Sequence, residues 1–394
     1  MPCLALPPHA PDGTVPAIQA PTRMKPERML MPIDRSITRR HLLRTAAIAT
    51  AALSVPRLVF AQSLKPVKFT LPWVAEGSNL YTYVAKGMGL WEKHGLDVTI
   101  ARGSGSVASA QAIGSAQFDF GLSAPPAAIL QSVKGLSLMA LATCGYDATM
   151  GIGVLNDSPI KTPKDLEGKQ LGATATSGEF PFLQAFADKA GFDFSKVTIN
   201  QVDNKVRNRL LPERKVDAIS GFASSAMPEY VATGTAAHFM LYSDYGIPNY
   251  GNTLFTQPER AAKEPELCAA MIAGLLEGLK ATLLDPTEAM NVFFKQVPEL
   301  MLAAQAKEQT RVGTGIMTFV STRDTLKTKG MGYIDPKDYE AMTDLVMKYI
   351  AKPEDKRPTV DSMMTNKFVG AIKFSEAEFA TAQKNCQEFR AYVT

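Results

Sequence analysis

Histidine, cysteine and tryptophan are scarce: the 394 residues hold four, four and two of them. Beyond position 61 only Cys144, Cys268 and Cys386 remain, and no two form a C-x-x-C pair. That spacing suggests neither a zinc site nor a redox motif. An odd count leaves at least one thiol unpaired. Buried free thiols are expected, with one distant disulfide left open for an oxidising compartment. His94 and His238 stand in unrelated positions, so no nucleophile–base pair is legible. An excess of one charge is lacking too. The formal net charge of +4 is concentrated in the first 61 residues; after them 34 basic residues face 35 acidic ones. A chain so nearly neutral argues against a nucleic-acid surface. Apart from an N-terminal segment, no long apolar run stands out, and no transmembrane helix is expected.

What is present begins with an export signature. Ser36-Ile37-Thr38-Arg39-Arg40-His41-Leu42-Leu43 follows the twin-arginine pattern: a polar residue, two arginines, any residue, then two apolar ones. A short run of Ala, Ile, Leu and Thr over 46–55 comes next, closed by Pro56 and Arg57. Val59-Phe60-Ala61 supplies the cleavage positions, which places cleavage after Ala61 and the mature start at Gln62. A buried N-terminal helix is the alternative. No cysteine follows the cleavage position, so the segment does not resemble a lipoprotein signal, and a soluble periplasmic protein is the simplest outcome. Residues 1–35 are proline-rich, cannot bury a core, and are expected to be disordered. Met24, Met29 and Met31 each offer another start.

The remaining ~330 residues suffice for two modest α/β lobes. The stretch 83–100 reads as a helix ended by Gly87 and Gly89, a short helical turn ended by Gly95, and a strand in which Leu96, Val98 and Ile100 alternate with polar residues. Strands at 67–71, 97–101, 118–122 and 136–142 alternate with helices, the pattern of a parallel sheet covered by helices. The plan recurs with strands at 152–155, 170–173, 197–201 and 216–221 and helices over 179–190 and 203–211. Val216-Asp217-Ala218-Ile219-Ser220-Gly221 mirrors Phe118-Asp119-Phe120-Gly121, and each Asp is expected to hold a strand end. Beyond 258 the pattern is helical, over 265–284, 287–294, 298–309, 336–350 and 376–389. That set is expected to pack back on the first lobe.

Four segments together resemble periplasmic solute-binding proteins of the nitrate, sulfonate and taurine importers, a family that includes thiamine-pyrimidine-binding members. They are 83–100; Ala116-Gln117-Phe118-Asp119-Phe120-Gly121; Thr162-Pro163-Lys164-Asp165-Leu166-Glu167-Gly168-Lys169 with Leu171-Gly172; and Lys215-Val216-Asp217-Ala218. The last departs from the family pattern, with Arg214 where a glycine usually stands. The resemblance covers 65 to roughly 348. It implies a two-lobe α/β fold of the type 2 periplasmic-binding-protein kind, with 62–152 and 256–394 in one lobe and 153–255 in the other. Crossing strands would fall near 152–154 and 252–255. It further implies capture of a small planar or anionic organic solute by hinge closure, no cofactor, no metal, and delivery to an ABC permease; the export signature adds the twin-arginine export machinery as a partner. A monomer is expected. A pyrimidine-making enzyme on the same fold, or a sensor for a membrane receptor, are the rival readings.

The residues themselves put a ligand in the same place. Open α/β sheets bind ligands beyond the carboxyl ends of their strands, where helix N-termini present free N–H groups. Three loops qualify: the one with Ser104 and Ser106, the one with Ser123, and the one with Thr176 and Ser177. Plain helix capping explains them equally well. Trp73 and Asn79 occupy the stretch where family members place first-lobe contacts; Trp73 either stacks on a planar ligand or is core. Phe222 and Ser224 follow the second Asp strand and should face the cleft. Tyr245 either closes over the ligand or packs at the hinge. Arg207 and Arg209, on a polar helix, are expected to be solvated.

Overall fold

The computed structural model describes residues 63–393; the N-terminal extension, the twin-arginine segment and the cleavage position lie outside the described residues. The first lobe opens with β1 (Lys65–Thr70), α1 (Tyr81–Gly87), α2 (Leu90–Lys93), β2 (Leu96–Ala101), α3 (Ser106–Gly114), β3 (Phe120–Ser123), α4 (Pro125–Val133) and β4 (Met139–Thr143). The second contains β5 (Met150–Leu155), β6 (Gln170–Ala173), α5 (Leu183–Ala190), β7 (Thr198–Gln201), α6 (Arg207–Leu210), β8 (Ala218–Phe222), α7 (Ala223–Ala232) and β9 (Ala237–Leu241). The chain then returns as β10 (Thr253–Thr256).

The two sheets share one plan. Their strand orders are β2-β1-β3-β10-β4 and β7-β6-β8-β5-β9. In each, three parallel strands meet a fourth, antiparallel strand that follows or precedes a crossing. The aspartates of the repeated motif do the same work in both. Asp119 Oδ2 accepts from the Lys68 N–H and Asp217 Oδ2 from the Gln170 N–H, each at 2.8 Å. These bonds hold the entry of a parallel strand pair, as expected. The crossings themselves run over 144–149 and 246–252, so residues 152–154 already lie inside the second sheet.

Gly89 and Gly95 take positive φ, 65° and 78°, and end α1 and α2 as the sequence implies. Gly87 has a different reason to be glycine. A Cβ there would come within 2.5 Å of Val292, on a helix packed against α1.

That helix belongs to the C-terminal set: α8 (Pro258–Lys263), α9 (Pro265–Leu284), α10 (Pro286–Gln296), α11 (Ala306–Ser321), α12 (Thr325–Thr328), α13 (Pro336–Tyr349), α14 (Val360–Met363) and α15 (Glu376–Cys386). Contrary to the sequence reading, α9 is long and apolar enough to cross a membrane by length and composition. Here it is a core helix: Trp91 Nε1 donates to the Met271 carbonyl at 3.0 Å, and Gly274 leaves room for that indole.

These helices pack on the first lobe, α9 and α10 on it alone, whereas α11 and α13 reach the second lobe as well. Helix α11 packs on the first-lobe turn Gly77–Asn79 and on α7 of the second lobe. Helix α13 packs on α4 and α5, one from each lobe. Its Tyr339, Met342 and Val346 share a core with Ile129 and Phe186. A third core joins Leu211, Ile219 and Tyr230 to Val312, Ile316, Phe389 and Val393. The lobes therefore share buried apolar surface, where each fully buried large side chain contributes about 1.5–3 kcal/mol.

Candidate functional site

A cleft lies between the lobes at the carboxyl ends of the sheet strands. On the first-lobe side Pro72 and Trp73 follow β1, and Glu76 enters the turn Gly77–Asn79. Asn79 shapes this loop. Its Oδ1 accepts from the Glu76 N–H at 3.2 Å and its Nδ2 donates to the Val74 carbonyl at 2.9 Å. The Glu76 carboxylate accepts from Ser78 Oγ and, across the cleft, from Ser225 Oγ, both at 2.6 Å.

The second-lobe side is built around a buried ion pair. Arg207 and Glu179 are 1% and 0% exposed, with Arg207 Nη1 3.6 Å from Glu179 Oε1. The carboxylate also accepts from Ser177 Oγ and, at 3.2 Å, from Ser220 Oγ. Arg207 donates through Nε and Nη2 to Asn208 Oδ1, each at 3.2 Å. Its guanidinium carbon lies 5.0 Å from the Trp73 ring centroid, a cation–π contact between the lobes. Gly221 makes the packing possible, since a Cβ there would be 3.0 Å from the guanidinium.

The solvated Arg207 of the sequence reading is thus corrected. Residues 203–211 contain a single helical turn, and its first side chain turns inward beneath β8 to meet Glu179. Arg209 remains exposed.

Two acids on the cleft wall hold their protons more tightly than usual. Burial raises Glu76, against the pull of hydrogen bonds from Ser225 and Ser78 and the Arg207 charge. Burial likewise raises Asp147, opposed by the Thr149 N–H and the Arg323 charge. The Cys144 thiol is pushed up to about 12 by burial and stays a neutral wall group. All three cysteines in the described residues are free and buried. With Arg207 facing Glu179, the acids that line the cleft are Glu76 and Asp147, and they present it with carboxyl acceptors for hydrogen-bond donors.

Of the residues singled out from sequence, Trp73, Ser106, Ser177, Phe222 and Ser224 line the cleft. Asn79, Ser104, Ser123, Thr176 and Tyr245 do not. Ser123 Oγ donates to the Ser106 carbonyl at 2.9 Å and positions α3. Thr176 Oγ1 donates to the Ser104 carbonyl at 2.6 Å, and the Val107 N–H donates to the Thr176 carbonyl at 3.1 Å. These bonds tie the lobes at the rim, where Gly105 comes so close that a Cβ would lie 2.1 Å from the Thr176 oxygen. Tyr245 stands edge-on to Phe186, 5.2 Å between centroids, which is packing. Sequence reasoning missed the roles of Glu76, Asp147, Asn252, Cys144 and the α11 residues Met317, Val320 and Ser321. The polar turn after Trp73 was a usable signal for Glu76; α11 gave none.

The architecture is that of the two-lobe periplasmic binding proteins. The alkanesulfonate-binding protein SsuA from Xanthomonas axonopodis pv. citri, solved with MOPS, superposes with a TM-score of 0.58 at 15% identity, over 76% of this chain and 98% of that one. The family model described as NMT1/THI5 like matches residues 79–289, and the chain belongs to that family. Relatives include the formylaminopyrimidine-binding protein of Halalkalibacterium halodurans, 24% identical over 239 residues, covering 60% of this chain and 72% of that protein. They also include the 4-amino-5-hydroxymethyl-2-methylpyrimidine phosphate synthase of Legionella pneumophila, 21% identical over 248 residues, covering 62% and 78%.

Proposed function

We propose that this chain captures a small planar nitrogen heterocycle, neutral or protonated, and hands it to an ABC permease. The observation that carries the reading is the wall chemistry. Trp73 and Phe222 offer aromatic faces, while Glu76 and Asp147 offer acceptors for ring amino or N–H groups. The arginine on the same wall already faces Glu179. An anion entering this cleft meets more acid than base, which weighs against nitrate or a sulfonate despite the shared fold with SsuA. The formylaminopyrimidine named in one relative has the favoured chemistry. Capture without turnover is supported by the positions of the two described histidines. His94 meets Glu277 at 3.0 Å and His238 meets Asn156 at 2.8 Å, both away from the cleft. A monomer that closes its mouth around the solute fits one cleft per chain, with closure restrained by the core the lobes share.

Calorimetric titration with a formylaminopyrimidine, methanesulfonate and nitrate tests the ligand class. Micromolar or tighter binding of the first and none of the other two is the expected pattern. Tight sulfonate binding without pyrimidine binding would overturn it. Release of a chemically altered pyrimidine would favour the enzyme reading. Export rests on Arg39 and Arg40. Replacing both with Lys should retain the protein in the cytoplasm, and normal periplasmic recovery would refute that assignment.

A further inference from the structure

The inner end of the cleft contains a hydrogen-bonding group that the fold leaves unused. Tyr81, on α1, is 0% exposed and packs its ring in the first-lobe core. Its hydroxyl makes no hydrogen bond of normal geometry among the described residues, with only the Cys144 thiol and the Asn252 side chain loosely beside it, although Tyr81 lines the cleft. Leaving such a group unpaired in the interior is costly. The neighbouring acceptors are weak or engaged. Cys144 Sγ is a poor acceptor. The Cys144 carbonyl takes the Ser321 Oγ hydrogen at 2.6 Å, and the Asn252 carbonyl takes the Cys144 N–H at 2.7 Å. The Asn252 side chain stands beside the phenol oxygen, on the same wall.

We propose that this end of the cleft is a carbonyl-recognising subsite, in which Tyr81 Oη donates to a ligand carbonyl oxygen with the Asn252 amide as a second donor beside it. Two adjacent donors match the two lone pairs of a carbonyl oxygen. Burial raises the phenol well above its ordinary value, so it remains a donor throughout the physiological range. Glu76, elsewhere on the wall, borders a second hollow and is an acceptor. The wall therefore sets an acceptor at Glu76 and a donor at Tyr81. It selects a ligand with its amino end toward Glu76 and its carbonyl toward Tyr81, and disfavours one bearing amines at both ends. The subsite rests on the binding reading above and adds the orientation.

The test is Tyr81→Phe, with two readouts. The first is the melting midpoint of the unliganded protein. A hydroxyl without an internal partner predicts an unchanged or higher midpoint; a clear fall means that the fold uses the hydroxyl, and the proposal is overturned. The second is calorimetric titration with a formylaminopyrimidine and with its analogue carrying methylamino in place of formylamino. Tyr81→Phe should bind the carbonyl probe about five- to twentyfold more weakly. The analogue should change by less than about twofold, since it never made the bond. Equal losses on both probes would mean packing alone and overturn the subsite. If the unmodified protein binds neither probe, the pyrimidine reading fails, and the melting readout alone decides whether the Tyr81 hydroxyl is free for another carbonyl ligand.

Discussion

The two lobes carry the same sheet and the same strand-holding aspartate, yet they place their charges at opposite depths. In the first lobe Asp119 is joined by Arg260 at 2.8 Å, with side chains 28% and 21% exposed. Water still reaches that pair, and it braces the outer end of a sheet. In the second lobe the corresponding Asp217 bonds the backbone, and Arg207 is buried inside, against Glu179. The difference follows from what covers each lobe. Helices α8 to α10 wrap the first lobe and supply Arg260 from outside. The second lobe lacks that coat and borrows α11 and α13, so its cation comes from its own loop and points into the cleft.

The most disruptive way to break the comparison is to remove one partner from each pair. Arg207→Met leaves Glu179 buried without its counter-charge and should cost about 3–5 kcal/mol of folding stability. Arg260→Met removes a partly exposed partner and should cost about 1 kcal/mol or less. Urea unfolding of both variants checks the ratio. Equal losses would show that the depth of the two pairs does not govern their worth.

A smaller effect sharpens the contrast between the cleft faces. The folded protein holds the Glu76 proton to higher pH than the unfolded chain, whose ordinary value is 4.5. The stability from Glu76 is therefore present in full below that value and is lost as pH rises through the raised folded one. Glu76→Gln carries no charge at any pH and escapes the loss. Its melting midpoint relative to the unmodified protein should rise from about pH 4 to about pH 7. A flat difference would mean that the carboxylate is as well solvated in the folded state as in the unfolded chain.

Much of the scaffold was legible because it is written in local periodicity. Strand β6 and helix α9 fall where the residues place them, and the Asp119 and Asp217 motifs announce their common task. Helix α11 was not legible; the pattern suggested a helix over 298–309 instead. Its sequence contains Gly313, Gly315 and several β-branched residues, all poor in intrinsic helix propensity. Those glycines are explained by contacts far away in sequence. Gly313 meets Gly77 and Pro228, and Gly315 lies under the Phe389 ring. Arg207 was misread for the same reason. A polar turn looks solvated until Glu179, 28 residues earlier, is brought beneath it. Five of the ten proposed contact residues line the cleft because strand ends are predictable; the Ser104, Ser123 and Thr176 loops turned inward to hold α3 and the rim.

The third core has a temporal consequence. Phe389 and Val393 share that core with Tyr230 and Ile219, which precede them by well over a hundred residues. Synthesis runs from the N-terminus at about 5–20 residues per second. The second lobe is thus translated before Phe389 and Val393 and keeps one apolar flank open until they emerge. Any nascent-chain factor that shields this protein has its work on that flank, and a chain cut before Phe389 will betray itself there, in a lobe far from the cut in sequence.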